Sequence, residues 1–443
     1  MRILLIAYEF PPSPSPSALR WSYLVRELAM QGHEVHVLAP RLAGDAGNLP
    51  PLPVGVNVHR TFAGPLMGLV HALSRRRRTT ADNGGSAALP VHGRLNWKGR
   101  LFEALQQGVG HVLFPDIRRE WNPWARRALG RLLPKLRPDI VVASHEPASV
   151  LELGLWAAAK GYPWVADLGD PINAPYTPSR WRSRAMALER RVAASANHVV
   201  LTTRGAELQL AAQVGPTLRS SVLPQGFDDR APVDPSGDSG LFDATRLELV
   251  YTGRFYAFRR PDALLAAVVA SEGVRLTIAA PSVPENCQRL ANQYPDKVRL
   301  CGALPHRQAL ALQRGGDLLI NIGNQALSAQ IPGKLFEYLG AGRPILHLLA
   351  GDDDPAVHFF DDVAAGWTCA NESGAIQSTL QRLRDVRLAE GRLPLPSGEG
   401  LHDIAQYGWS RLGVRLEAVL HAAMETNRVE AIGGLPHAMH IHH

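Results

Sequence analysis

Residues 328–346, SAQIPGKLFEYLGAGRPIL, set a carboxylate at Glu337 among Leu335, Phe336, Tyr338 and Leu339. A buried, unpaired carboxylate is costly, so Glu337 is expected to face something polar. Lys334 shares its face at a spacing of three residues, which makes an intrahelical ion pair one possible answer. Lysine ahead of glutamate is the less favourable order for such a pair, worth at most ~0.5 kcal/mol. Pro332 suits the first turn of the helix that would carry both. Two other stretches carry metal-ligating side chains. GDDDP (351–355) follows an apolar strand with no partnered ligands, and capping of the next helix is its other reading. The tail HAMHIHH either binds metal ions adventitiously or is disordered.

A third feature is charge. The chain has 443 residues and a net charge of +7. Between Arg75 and Arg137 fourteen Arg/Lys face four Asp/Glu, a local excess of +10, so the rest of the chain is slightly acidic. Trp121 and Trp124 interleave with these arginines, a combination suited to an anionic membrane surface; a solvated basic helix is the alternative. No nucleic-acid module accompanies the charge. No window approaches the roughly 18 apolar residues of a membrane-spanning helix. MRILLIA is too short for the apolar part of a signal peptide, so a cytoplasmic protein, peripheral on the inner membrane face, is expected. Cys287, Cys301 and Cys369 show no paired spacing and are expected as buried thiols in a reducing compartment.

The elements that must position these residues follow from periodicity. MRILLIAYEFPP is an apolar strand and a Pro-rich loop, and SALRWSYLVRELAMQGH has helical periodicity closed by Gly32. EVHVLAP is the next strand, completing a βαβ opening with parallel strands. Further strands are expected at Asp139–Ser144, Pro163–Asp167 and His198–Thr203. LELVYTGRF repeats the opening after a Pro/Gly/Asp-rich linker, and VRLTIAA, VRLCG, DLLINIG and PILHLLA follow. The pattern predicts an α/β chain of two doubly wound domains, with ligands at the carboxyl ends of the strands. The first domain is expected over 1–227, with a mobile basic insertion at about 75–94. The linker is expected over 228–246, the second domain over 247–408, a final helix over 409–425 and a flexible tail over 426–443.

With these motifs in their order, the chain resembles retaining nucleotide-sugar glycosyltransferases of the GT-B fold, of the family-four type that serves bacterial cell-surface glycan synthesis. The resemblance spans residues 1 to about 425 and rests on FPPSPSPSALRWSYLVRELAMQGHEVHVLAP, PWVADLGDP, VLPQGFD, YTGRFYAFRRPD and IPGKLFEYLGAGRPIL. It implies two facing Rossmann-like domains, with the final helix crossing back to the N-terminal one. It implies that Glu337, with Pro332, Gly333 and Lys334 around it, accepts hydrogen bonds from the ribose of the donor; a carboxylate has lone pairs enough for two vicinal hydroxyls. Arg254 matches the family's arginine, Arg259 stands at the place of its lysine, and Arg260 is a neighbour able to substitute. These cations would stabilise the departing diphosphate.

On the first domain, Ser and Pro replace the family's Gly-Gly pair, leaving Ser15, Ser17 and the helix start as anion ligands, or else a rigid loop and cap. Arg20 lies one turn in. His145 and Glu146 of SHEP, with Asp167 and Asp170 of DLGDP, are implied on the acceptor side, and Asp170 also as a catalytic group. Gly169 stands where relatives carry Arg or His, and Ala329 where many carry a second Glu.

The implied reaction moves a sugar from a nucleoside diphosphate to a hydroxyl of a glycan or lipid-linked acceptor. A donor phosphate oxygen takes the acceptor proton, and no cofactor or metal is expected. A nucleotide-sugar epimerase on the same fold, or a non-catalytic nucleotide-sugar-binding partner of a glycan assembly complex, are the alternatives. Base, sugar, acceptor and linkage are not readable from the residues.

Overall fold

The structure, a computed structural model, describes residues 1–13, 15–42, 49–68, 114–174, 177–231, 241–256, 259–323, 330–351, 353–395 and 403–433. The expected insertion at 75–94, Ala329 and the histidine-rich tail lie outside the described residues. The chain divides into two compact units. The first holds the described residues up to Pro224 other than Leu49, together with those from Gly413 on; the second spans Gln225–Leu412.

The first unit is built on a parallel sheet of seven strands: β1 (Arg2–Ala7), β2 (Glu34–Pro40), β3 (Val56–Thr61), β4 (Ile140–Ser144), β5 (Trp164–Gly169), β6 (His198–Leu201) and β7 (Ser220–Val222). Their order, β3-β2-β1-β4-β5-β6-β7, reverses direction between β1 and β4. Ile3 stands opposite Val35 on one side and Ile140 on the other. The apolar runs of β1 and β4 are buried along almost their whole length, as strands covered on both faces must be. Helices α1 (Pro16–Met30), α2 (Asn122–Leu136), α3 (Leu151–Ala158), α4 (Ser179–Ser195) and α5 (Arg204–Val214) supply the cover. Gly32 adopts φ +85°, the left-handed turn that ends α1.

The second unit has a parallel sheet of six strands: β8 (Leu247–Thr252), β9 (Val274–Ala279), β10 (Val298–Leu300), β11 (Leu318–Ile322), β12 (Ile345–Leu349) and β13 (Gly366–Ala370), in the order β10-β9-β8-β11-β12-β13. Its helices are α6 (Asp262–Ala270), α7 (Glu285–Gln293), α8 (His306–Gly315), α9 (Gly333–Leu339), α10 (Ala356–Val363) and α11 (Ser373–Glu390). The described part of 228–246 is tied into this unit: Arg275 and Arg299 both donate to the Leu241 carbonyl, and the Asp243 amide donates to Glu248. The last helix, α12 (Trp409–Gly433), runs eight residues past its expected end. Beyond Gly413 it belongs to the first unit, where Glu417 meets His33 Nε2 at 2.9 Å.

Two expectations are corrected here. Trp121 is not a surface anchor: it is fully buried, stacks edge-on against Tyr8, and donates its indole N–H to Thr61 Oγ1 at 2.7 Å. Its ring belongs to the core because the indole is the largest apolar surface in that segment. Of the three free cysteines only Cys287 is buried, while Cys301 and Cys369 are partly exposed. Among the described residues, no helix is long and apolar enough to cross a membrane.

Candidate functional site

In both units the sequence-predicted residues gather where β-strands end at the point of reversed strand order. That is where an open α/β sheet leaves a crevice.

In the second unit the reversal lies between β8 and β11. The chain leaves β8 at Thr252 and turns at Gly253, whose φ of +114° excludes most side chains. Beneath this turn lies Tyr251, fully buried. Phe255 stacks on its ring at 4.4 Å with an interplanar angle of 8°. Lys334 Nζ stands 3.7 Å from the centroid of the same ring, necessarily on the face Phe255 leaves open. The Tyr251 hydroxyl donates to the Arg254 carbonyl at 3.0 Å and also engages Arg259. Arg259 is buried, and its guanidinium lies 5.5 Å from the Tyr256 ring. Arg254 projects into solvent, and among the described residues its guanidinium has no partner. Arg260 is exposed as well and approaches Asp262 at 3.5 Å.

Lys334 and Glu337 do not pair. The lysine stem is part-exposed, but Nζ is buried and has no hydrogen-bond partner among the described residues. Burial, reinforced by the charge of Arg259 and opposed by Glu337, pushes its pKa far below the ordinary lysine value. Glu337 instead accepts from Gln313 Nε2 at 2.6 Å. The same amide nitrogen donates to Thr252 Oγ1 at 2.9 Å, and the Thr252 amide donates to Tyr338 Oη at 2.9 Å. Burial raises the Tyr338 phenol to about 12. Glu337 is therefore held by a network running from α8 through the end of β8 to α9. Pro332 stands immediately before α9, and Gly333 opens it on the exposed side. Gln313 escaped the sequence reading; the only signal for it is a long polar side chain on the buried face of an amphipathic helix.

GDDDP resolves into the capping reading. Asp354 Oδ1 accepts from the Ala356 amide at the start of α10, and Oδ2 accepts from the Ala350 amide and from buried His347 at 3.0 Å. His347 Nδ1 meets Asn321 Nδ2 at 2.6 Å.

In the first unit the predicted residues separate into two groups. Arg20 and Asp167 are buried and bound to each other at 3.4 Å. Arg20 also donates to the carbonyls of Pro224 (2.7 Å) and Leu223 (3.0 Å). Asp167 accepts further from Trp21 Nε1 (3.0 Å) and Ser144 Oγ (3.3 Å). This is a knot joining α1, β4, β5 and the segment after β7. Arg20 and Asp167 thereby tie these segments together, while Arg20 Nε has no partner among the described residues. Ser15 is likewise occupied, since its hydroxyl accepts from the Ala18 amide as the cap of α1.

The second group remains accessible. Ser17 Oγ lies 3.4 Å from Glu146 Oε2, which is exposed. Glu146 sits at φ +67°, a strained setting for a residue with a Cβ, and precedes a cis proline. His145 Nδ1 meets the Leu168 carbonyl at 2.5 Å. A carbonyl can only accept, so Nδ1 carries a proton. Asp170 accepts from Thr202 Oγ1 at 3.1 Å. Gly169 has φ +64°, a left-handed turn that disfavours a side chain. Two acids lie near this group, Glu189 buried and Asp116 part-buried. Glu189 takes the Asn173 amide at 2.9 Å while its second oxygen has no partner among the described residues, and Asp116 takes the amide and hydroxyl of Ser149. Burial raises the pKa of both.

Residues 17–226 match the family model described as the glycosyl transferase 4-like domain. No curated protein matches the sequence. Solved structures share the fold over nearly the full chain. Sucrose-phosphate synthase (tll1590) from Thermosynechococcus elongatus is similar at a TM-score of 0.60 and 16% identity, covering 97% of this chain and 98% of its own. Anabaena Alr3699/HepE in complex with UDP and glucose is similar at 0.55 and 14%, covering 98% and 100%. The UDP-GlcNAc 2-epimerase from Methanocaldococcus jannaschii is similar at 0.53 and 11%, covering 95% and 99%. The fold is thus of the GT-B class, with two Rossmann-like units, the first of which holds nearly all of the residues that match that family model.

Proposed function

We propose that this protein transfers a sugar, with retention, from a nucleoside-diphosphate sugar to an acceptor hydroxyl. The observation that carries this reading is the end of β8, where, among the described residues, Lys334 Nζ is buried without an acceptor beside the buried Arg259. A cation in that setting calls for an anion, and a diphosphate supplies it. Glu337, aimed by Gln313, takes the two ribose hydroxyls. Arg254, solvent-facing beside them, meets the diphosphate and stabilises the charge it gains on leaving. In the first unit, His145, with Glu146, Asp170 and Ser17, receives hydroxyls of the acceptor.

The acceptor is a glycan or lipid-linked glycan at an anionic membrane. In support, Arg126, Arg127, Arg131 and Lys135 share the exposed face of α2, and Trp124 with the exposed Phe62 forms an edge-on aromatic pair at 5.1 Å.

Thermal stabilisation by a panel of nucleotide sugars, followed by a transfer assay with the one that stabilises most, tests the reading. Stabilisation by none of them refutes it. The likeness to an epimerase supports a second reading, nucleotide-sugar epimerisation, and turnover without any acceptor would establish that instead. Tight binding without turnover would leave a nucleotide-sugar-binding partner.

A further inference from the structure

The mismatch between Lys334 and its surroundings has a consequence for how an anion binds. A lysine ammonium has three donors, and here Nζ lies buried with no acceptor among the described residues. The aromatic face of Tyr251 is a favourable contact, at 3.7 Å. Two charges act on it. Arg259, from the loop after β8, opposes protonation, and Glu337, one turn along α9, favours it only from a distance because its carboxylate is turned to Gln313. The titratable neighbours are Tyr251 beneath and Tyr338 on α9, both neutral phenols whose ionisation burial suppresses. Among the described residues no carboxylate pairs with Nζ, so the protein supplies the ammonium with little counter-charge.

We propose that Lys334 is neutral in the free protein and takes up a proton when the donor diphosphate binds. The incoming anion supplies the acceptor oxygens and the charge that β8, α8 and α9 withhold. This rests on the nucleotide-sugar reading above and adds to it that donor binding is proton-coupled. The balance is simple: one proton passes from solvent to Nζ, the bound diphosphate keeps its charge, and the site gains one positive charge on loading. A guanidinium is charged across the pH range of the experiment, so the uptake is assigned to Lys334.

The experiment is isothermal calorimetry of the full chain with UDP-glucose, GDP-mannose, ADP-glucose and dTDP-glucose, in buffers of different ionisation enthalpy. These diphosphodiesters have no phosphate proton that titrates near neutrality. Scanned between about pH 6.5 and 9, the tightest binder should take up close to one proton per site at the maximum. Lys334→Arg should bind with no uptake, since a guanidinium is already charged. Lys334→Met should bind at least tenfold more weakly, also with no uptake. In the free protein, the ¹³Cε signal of Lys334, identified by its loss in the arginine variant, should titrate well below the ordinary lysine range.

Nucleotide binding without uptake, or the same uptake in Lys334→Met, overturns the inference while leaving the nucleotide-sugar reading intact. An ordinary lysine titration in the free protein also overturns it. Binding of none of the four overturns both.

Discussion

Replacing Gln313 by leucine separates holding a ligand from aiming the group that holds it. Gln313 is fully buried and touches no surface a nucleotide would reach, yet its amide fixes Glu337 at 2.6 Å and Thr252 at 2.9 Å. Its own Oε1 is buried without a partner. Leucine loses a hydrogen bond to a charged group, about 1.5–3 kcal/mol, and a neutral one of about 1 kcal/mol. It also relieves an unpaired carbonyl costing about 1–3 kcal/mol. The two sides nearly cancel, so the variant should melt within a few degrees of the parent. Binding should suffer more. Released from Gln313, Glu337 recovers rotamer freedom worth up to about 1.5 kcal/mol, which a ligand must then remove again. That corresponds to a five- to tenfold loss of nucleotide affinity. Glu337→Ala removes the acceptor itself and should cost ~1.5–3 kcal/mol, tenfold or more. If aiming is all that Gln313 does, the double variant binds no worse than Glu337→Ala alone. Calorimetric titration of the four proteins closes the cycle. Additive losses would refute the positioning role, and unchanged affinity in Glu337→Ala would remove the ribose role altogether.

Other consequences can be checked alongside. Arg254→Ala should lower kcat far more than donor affinity, because its partner gains charge only as the bond breaks; normal turnover with a raised donor KM would contradict this. Glu189→Gln should stabilise the protein with a sign set by pH. Burial raises the folded-state pKa of Glu189 above 4.5, so ionisation penalises the folded state as pH rises through that window. The variant's advantage in denaturant melts should therefore vanish below about pH 4 and be full at neutrality, and a pH-independent difference would count against it. Arg20→Ala breaks a buried pair and leaves Asp167 uncompensated, a loss of about 3–5 kcal/mol in chemical denaturation. Reversing Arg127, Arg131 and Lys135 to glutamate should abolish flotation with anionic vesicles at low salt while leaving the melting temperature unchanged. Equal flotation with neutral vesicles would move the acceptor into solution.

How far the sequence could be read depended on whether a residue's environment was local. The buried strands β1, β4, β8 and β12 announce themselves as apolar runs. β3, half-exposed at the sheet edge, and β7, three residues long, do not. Glu337 and Arg254 were legible because they sit in dense motifs. Gln313 was not, since its partners come from β8 and α9 and no local pattern marks it. Arg20 and Asp167 were legible as charged residues in the right places but not as each other's partners, because 147 residues separate them. Trp121 misled for a related reason: a tryptophan among arginines looks the same in sequence whether its ring points to solvent or to the core. Gly169 seemed a lost side chain and is a backbone requirement.

The Arg20 knot also bears on how the chain is made. Its guanidinium donates to a carbonyl 204 positions downstream. At about 5–20 residues per second, a nascent chain waits on the order of 10–40 s between synthesising the arginine and presenting Pro224. Until then the charge must stay hydrated, so α1 cannot take its final seat on the sheet. The first unit is by the same logic unfinished until residues beyond Gly413 emerge. A half that is first in sequence is thus completed last. Fragments ending short of Pro224 should expose the uncovered apolar face of α1 to chaperones, whereas the second unit, continuous from Gln225 to Leu412, can close as soon as its own last strand and helix are made.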